Sequence, residues 1–219
     1  MKLYLTNKDK VFPGQLHIDN FVPSEFNTGN APVFFMNTNV LTLIQKLRNL
    51  LGVQIVVNSA YRSEEYNQLI GGSKDSFHVK GMAIDFTLNS VGRKQYNILK
   101  VASILHLMLH RGNHPYGGIE IDIHSDKEGG WGYIHVDTRD EIWRAVRFAG
   151  KDYVTCNNLF GEIDKKNKAS VYAWQYLVNI LERCYLHIDG IYGSSTEKDL
   201  AYINHEYGKN QLVWKAMQL

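Results

Sequence analysis

Two short segments constrain this chain more than anything else in it. The first is Ser76-Phe77-His78-Val79-Lys80-Gly81-Met82-Ala83-Ile84-Asp85, which sets an imidazole and a carboxylate seven residues apart with a glycine between them. The second, fifty residues beyond Asp85, is Tyr133-Ile134-His135-Val136-Asp137. From Met82 to Leu88, Ile84, Phe86 and Leu88 alternate with Asp85 and Thr87, the period of a strand with one apolar face. From 133 to 137, Ile134 and Val136 face one way while Tyr133, His135 and Asp137 face the other. Two such strands present Asp85 and His135 to a shared cleft. Gly81 permits a tight turn that carries His78 back over Asp85. Two His and one Asp form a three-ligand set for zinc, with a fourth position open for water; that open position distinguishes a catalytic from a structural zinc.

The pattern Ser-x-His-x-x-Gly-x-Ala-x-Asp, followed by a later His-Val-Asp, resembles the M15 zinc peptidases over roughly residues 20–140. That family contains D-Ala-D-Ala carboxypeptidases, dipeptidases and phage peptidoglycan endopeptidases. The resemblance implies His78, Asp85 and His135 as ligands of a Zn2+ ion. It implies an α+β fold of the hedgehog/DD-peptidase type, a small antiparallel sheet flanked by helices. It makes Arg62, in Tyr61-Arg62-Ser63, the cleft-facing arginine that grips a substrate carboxylate or an oxyanion. It makes Ser76 a substrate-contacting serine; a turn-forming hydroxyl is the plainer account of the same residue.

One part of the family pattern is missing. The dipeptidase branch carries an acidic residue three positions before the second His, and here that position is Gly132. Tyr133 stands where a related group of murein endopeptidases has His. Asp137, on the same strand face as His135, is the favoured general base, with orientation of a ligand as its other role. Glu120, Asp122, Asp126 and Glu128 are further candidates.

The 219 residues suffice for one medium domain and a small one. The expected boundaries are a zinc peptidase domain at 1–150, a connector at 151–166 and a small all-helical domain at 167–219. In the last, Gln175, Leu177, Leu181, Asp189-Gly190-Ile191-Tyr192-Gly193 and Thr196 resemble small peptidoglycan-binding domains. Expected elements include a helix from Val40 to Leu51 stopped by Gly52, a strand from Val53 to Ala60, and a helix capped by Ser63. A single long helix is expected from Arg93 to Leu109. The Thr138-x-x-Glu141 capping box predicts a helix through about Phe148, and Ser194-x-x-Glu197 predicts another through about Tyr207.

A net charge of +2 leaves no basic run to neutralise a phosphate backbone, which argues against nucleic acid as a partner. The two cysteines, Cys156 and Cys184, have no metal-knuckle spacing and read as buried thiols. No apolar run reaches the eighteen residues of a membrane span, and the polar N-terminus does not read as a signal peptide. The expected protein is a monomeric hydrolase made in a host cytoplasm, acting on bacterial peptidoglycan after release, as a phage endolysin does. Its rivals are a D,D-carboxypeptidase or dipeptidase on wall precursors, and a non-catalytic zinc-containing wall-binding or virion protein.

Overall fold

The computed structural model describes residues 1–13, 16–111, 117–124, 131–148, 154–155, 165–166, 171, 175, 190–198 and 201. The chain forms two compact units. The first comprises Met1–Gly92, Met108–Gly118 and Tyr133–Ile142, and the second Arg93–Leu107, Ile119–Gly132 and Trp143–Leu219. The architecture is α+β, with antiparallel sheets and flanking helices, as the sequence predicts.

In the first unit, β1 (Lys2–Thr6) pairs antiparallel with β2 (Val33–Asn37) as a two-stranded sheet. Asn37 then caps α1 (Thr38–Leu51), its side chain accepting from the Asn39 amide. Val40, Leu41, Ile44 and Leu47 recur at helical spacing and are fully buried, so the apolar stripe holds α1 to the core. Gly52, left-handed at φ 64°, ends the helix by donating its amide to the Arg48 carbonyl. Strand β3 (Ile55–Ser59) pairs antiparallel with β4 (Ala83–Leu88), and β4 pairs on its other edge with β6 (Trp131–Asp137). Between β3 and β4 lies α2 (Glu64–Leu69), capped by the Ser63 hydroxyl as the sequence predicts.

Two registers matter for the site. Asp85 lies directly opposite His135, because Ala83 pairs with Asp137 and Phe86 with Ile134. On the other edge, Val57 pairs with Phe86 but Ser59 with Asp85, so β3 carries an extra residue there. This bulge sets Ser59 beside Asp85 just before the chain turns through Ala60, Tyr61 and Arg62.

The second unit holds β5 (Gly117–Ile123), β7 (Ile142–Phe148) and β8 (Val154–Thr155) as neighbours in that order, β5 entering it at Ile119 and β7 at Trp143. Two expectations are corrected here. The long helix from Arg93 is two helices, α3 (Ser90–Gln95) and α4 (Ile98–Arg111). The Asn97 side chain accepts from the Lys100 amide at 2.8 Å and starts a new helix, while the Trp131 indole donates to the Tyr96 carbonyl at the break. The helix expected after Thr138 is instead β7, whose Ala145 pairs with Thr155 and Val146 with Val154.

Of the expected C-terminal domain little is described. Gln175, buried, accepts from the Gly190 amide and donates to the Ile191 carbonyl and the Thr196 hydroxyl. Residues 194–198 are helical, with Gly193 rather than Ser194 taking the first amide bond, from Glu197. Apart from Val171 and Gln175, which are helical, residues 169–184 lie outside the described residues, as do the connector's Asn157 and Asn158, both cysteines, Asp126 and Glu128. Among the described residues no helix is long and apolar enough to cross a membrane.

Candidate metal centre

The first unit brings His78, Asp85 and His135 together, with one donor atom from each within 4.8 Å of the others. His78 arrives from a turn. The Ser76 hydroxyl accepts from the His78 amide, and the Gly81 amide donates back to the His78 carbonyl. Gly81 has φ 63°, and its missing Cβ leaves room for the Phe35 carbonyl, which a side chain would overlap.

Each ligand is held from behind. The His78 Nδ1 lies 2.7 Å from the Ala60 carbonyl oxygen. A carbonyl only accepts, so Nδ1 carries the proton and Nε2 presents its lone pair, 3.2 Å from Asp85 Oδ1. His135 lies between two carboxylates, its Nε2 3.1 Å from Asp137 Oδ2 and its Nδ1 2.7 Å from the same Asp85 Oδ1; a metal bound at Nδ1 would leave the proton on Nε2, facing Asp137. Asp85 Oδ2 accepts from Arg62 Nη2 at 2.9 Å, and Arg62 Nε donates to Ser59 Oγ at 2.8 Å. Two imidazole nitrogens and a carboxylate oxygen therefore converge on one point, where a metal cation could replace the proton shared between His135 and Asp85.

Without a metal, the positive charge of the cluster is carried by His135. Burial disfavours the charged form of His135, but hydrogen bonds to Asp137 and Asp85 and their charges outweigh it and raise its pKa to about 10. Burial pushes the Asp85 carboxyl up, and the two histidines overcome this and hold it far below the usual carboxylate range. The donor set of two nitrogens and one carboxylate oxygen fits zinc with an open fourth position.

Asp137 stands behind His135. It is fully buried and accepts from the Gly118 amide, the Arg139 amide and the Arg139 guanidinium. Burial alone raises its pKa; the His135 and Arg139 bonds reverse that and lower it strongly. The Arg139 guanidinium in turn lies over the Phe77 ring, 4.4 Å from its centroid. Arg139 carries no motif of its own in the sequence; only its place two residues after Asp137 marks it. Asp137→Asn, which weakens the hold on His135 Nε2–H, is expected to lower zinc affinity about 10–100-fold, read by chelator competition. An unchanged affinity makes Asp137 a purely structural residue.

The other acidic candidates are engaged in the second unit. Glu120 lies 3.2 Å from Arg147, and Asp122 lies 3.2 Å from His124. At Gly132 a Cβ would sit 2.5 Å from the Asp122 carbonyl oxygen and against the His124 ring, so this position admits no acidic side chain.

Residues 20–114 match the family model described as Peptidase M15. The matched span contains Arg62, Ser76, His78 and Asp85, while His135 and Asp137 join them through the β4–β6 register. The match supports a place for this chain among the M15 peptidases, metallopeptidases that are typically zinc-dependent. No curated protein matches the chain.

Proposed function

We propose that this protein is a zinc-dependent hydrolase of amide bonds in the peptide stems or cross-links of bacterial peptidoglycan, acting as a phage endolysin. The observation that carries the reading is the convergence of His78 Nε2, His135 Nδ1 and Asp85 Oδ1, each with its other side already bonded. Zinc held there by His78, Asp85 and His135 would supply a water of lowered pKa, about 7, and would polarise the scissile carbonyl.

The protein's own residues supply orientation. The Ala60 carbonyl fixes the His78 tautomer, and Asp137 would hold the Nε2 proton of a metal-bound His135. Asp137, with its oxygens committed and no exposed surface, suits this orienting role better than that of general base. Arg62 spans Ser59 and Asp85, engaging Asp85 through Oδ2 and leaving Oδ1 to face the two imidazoles; its guanidinium is proposed to bind a substrate carboxylate or oxyanion as well. Arg62→Lys is expected to lose on the order of tenfold in kcat/KM, since an ammonium cannot bridge both partners. Unchanged kinetics leave Arg62 as a simple ion pair.

The segment around Gln175, Gly190 and Thr196 is proposed as part of a wall-binding module. Its support is the buried Gln175 side chain that ties the Gly190–Ile191 turn to Thr196, the residues that carry the resemblance to peptidoglycan-binding domains. The crowding at Gly132 favours one second reading, a zinc-containing wall protein without turnover, because the acidic residue of the dipeptidase branch has no room there.

Digestion of purified sacculi with and without chelator, with mass spectrometry of the fragments, tests the proposal. Chelator-sensitive release of peptides with new amide termini supports it and identifies the bond. Wall binding without release establishes the second reading.

A further inference from the structure

We infer that the outer face of the β1–β2 sheet is a saccharide-binding strip that seats the glycan strand of the substrate while its peptide reaches the metal centre; this rests on the function proposed above.

The strip follows from strand alternation. Leu5, Phe34 and Met36 point inward and are buried, so the sheet already meets the core's apolar demand on that face. On the opposite face Tyr4 stands directly across from Phe35, their ring centroids 5.7 Å apart. Tyr61 stands at the edge of this face, 5.0 Å from Phe35 and tilted 58° to it, and it also reaches the inward Phe34 at 6.2 Å. The Lys2 ammonium lies over the Phe35 ring at 4.3 Å. Tyr4 is 67% exposed, although an aromatic of this size is normally drawn into contact.

The row is continuous with the proposed centre. Tyr61 sits between Ala60, whose carbonyl holds His78, and Arg62, which holds Asp85. Its own backbone is pinned on both sides, its amide donating to Phe26 and its carbonyl accepting from Thr28. Partial burial and the nearby Glu65 and Glu64 carboxylates push the Tyr61 hydroxyl pKa upward, so it remains a hydrogen-bond donor.

A hexopyranose ring offers a flat face of C–H bonds with slightly positive hydrogens, complementary to the negative face of an aromatic ring. Tyr4 and Tyr61 flank Phe35, tilted 50° and 58° to it, and Lys2 covers the Phe35 face; the two tyrosine rings, each with its own face and a hydroxyl, suit successive sugar rings of a chain better than one small ligand. Lys2 adds a cation complementary to the carboxylates borne by wall peptides. Under the function proposed above, the occupant is the wall's own glycan, a β-1,4-linked N-acetylhexosamine strand.

The probe is N-acetylchitotetraose, titrated into the full chain by NMR and calorimetry. Binding is expected to perturb Tyr4, Phe35 and Tyr61, and to weaken about tenfold in Tyr4→Ala while Tyr4→Phe retains most of it. With glycan-bearing muropeptide dimers, Tyr4→Ala is expected to raise KM about tenfold at unchanged kcat; hydrolysis of sugar-free stem peptides should not change. A melting curve on each variant separates loss of binding from loss of the cross-strand ring pair.

No response to the tetrasaccharide, or a response indifferent to Tyr4→Ala, overturns the inference. A concentration-dependent dimer abolished by Tyr4→Ala assigns the strip to a second copy of the chain and overturns it too. Tetrasaccharide binding at the strip by a protein that releases nothing from sacculi sustains the strip and removes the hydrolase reading; the converse removes the strip alone.

Discussion

Alanine at His135 is expected to remove zinc from the protein and to lower hydrolysis on the order of a thousandfold or more. Three donors hold the site, so losing one leaves Asp85 and His78 as a two-ligand pair that competes poorly with chelators. The loss also strands Asp137, whose remaining partners are Arg139 and the Gly118 amide. In the parent protein, zinc at a thousandfold excess over its Kd should add about 4 kcal/mol to stability and raise Tm; His135→Ala should show no such response. His124→Ala is the matched control. His124 is a half-exposed imidazole paired with Asp122, not with the cluster, and its removal should leave zinc content unchanged. Elemental analysis after dialysis reads both variants. Stoichiometric zinc in His135→Ala would mean that the metal lies elsewhere.

What the sequence makes legible, and what it does not, divides along the range of the interactions. Strands β4 and β6 announce themselves by period-two alternation, and that alternation already turns Asp85 and His135 to the same side. Their direct opposition in register is a pairing fact, yet it follows once both polar faces must meet. The His78 turn is legible because only glycine suits its φ at position 81. The groups that hold the ligands are harder to see. The Ala60 carbonyl is backbone and has no sequence signature, and its role depends on the β3 bulge that precedes it. Arg139 is an ordinary charged residue until its guanidinium is seen on Asp137.

The two errors in secondary structure have different origins. Ile142, Trp143, Ala145, Val146 and Phe148 fit a helical stripe as well as a strand, and Thr138 to Glu141 imitates a helix start. Pairing of Ala145 with Thr155 decides the matter, and no local pattern reports it. In the Arg93–Leu109 stretch the apolar stripe starts at Ile98, and Asn97, a strong capping residue just before it, starts the second helix there.

Gly81→Ala is expected to be among the most damaging single-methyl changes in the first unit. Two penalties add at this position. The backbone is left-handed at φ 63°, which costs an L-residue about 1–2 kcal/mol. The new Cβ would also overlap the Phe35 carbonyl oxygen and press on the Phe35 ring, backbone and ring atoms that cannot swing aside. The chain around Gly81 is bonded in both directions: its carbonyl accepts from the Asn37 amide at 2.7 Å, and its amide donates to His78 at 3.1 Å. Relief of the overlap therefore moves either the end of β2 or the turn that carries His78. A total cost of about 3 kcal/mol or more follows, enough to lower Tm by about 10 °C. Gly71→Ala separates the two penalties. Gly71 has φ 74° but open space around its missing Cβ, so it bears the backbone cost without the overlap. Thermal unfolding of both variants, metal-free and zinc-loaded, reads the difference. Gly81→Ala should melt well below Gly71→Ala and gain less from zinc, because the strain passes into the His78 ligand. Equal melting temperatures and equal zinc responses would show that β2 yields freely at Phe35 and that the turn does not depend on this close approach.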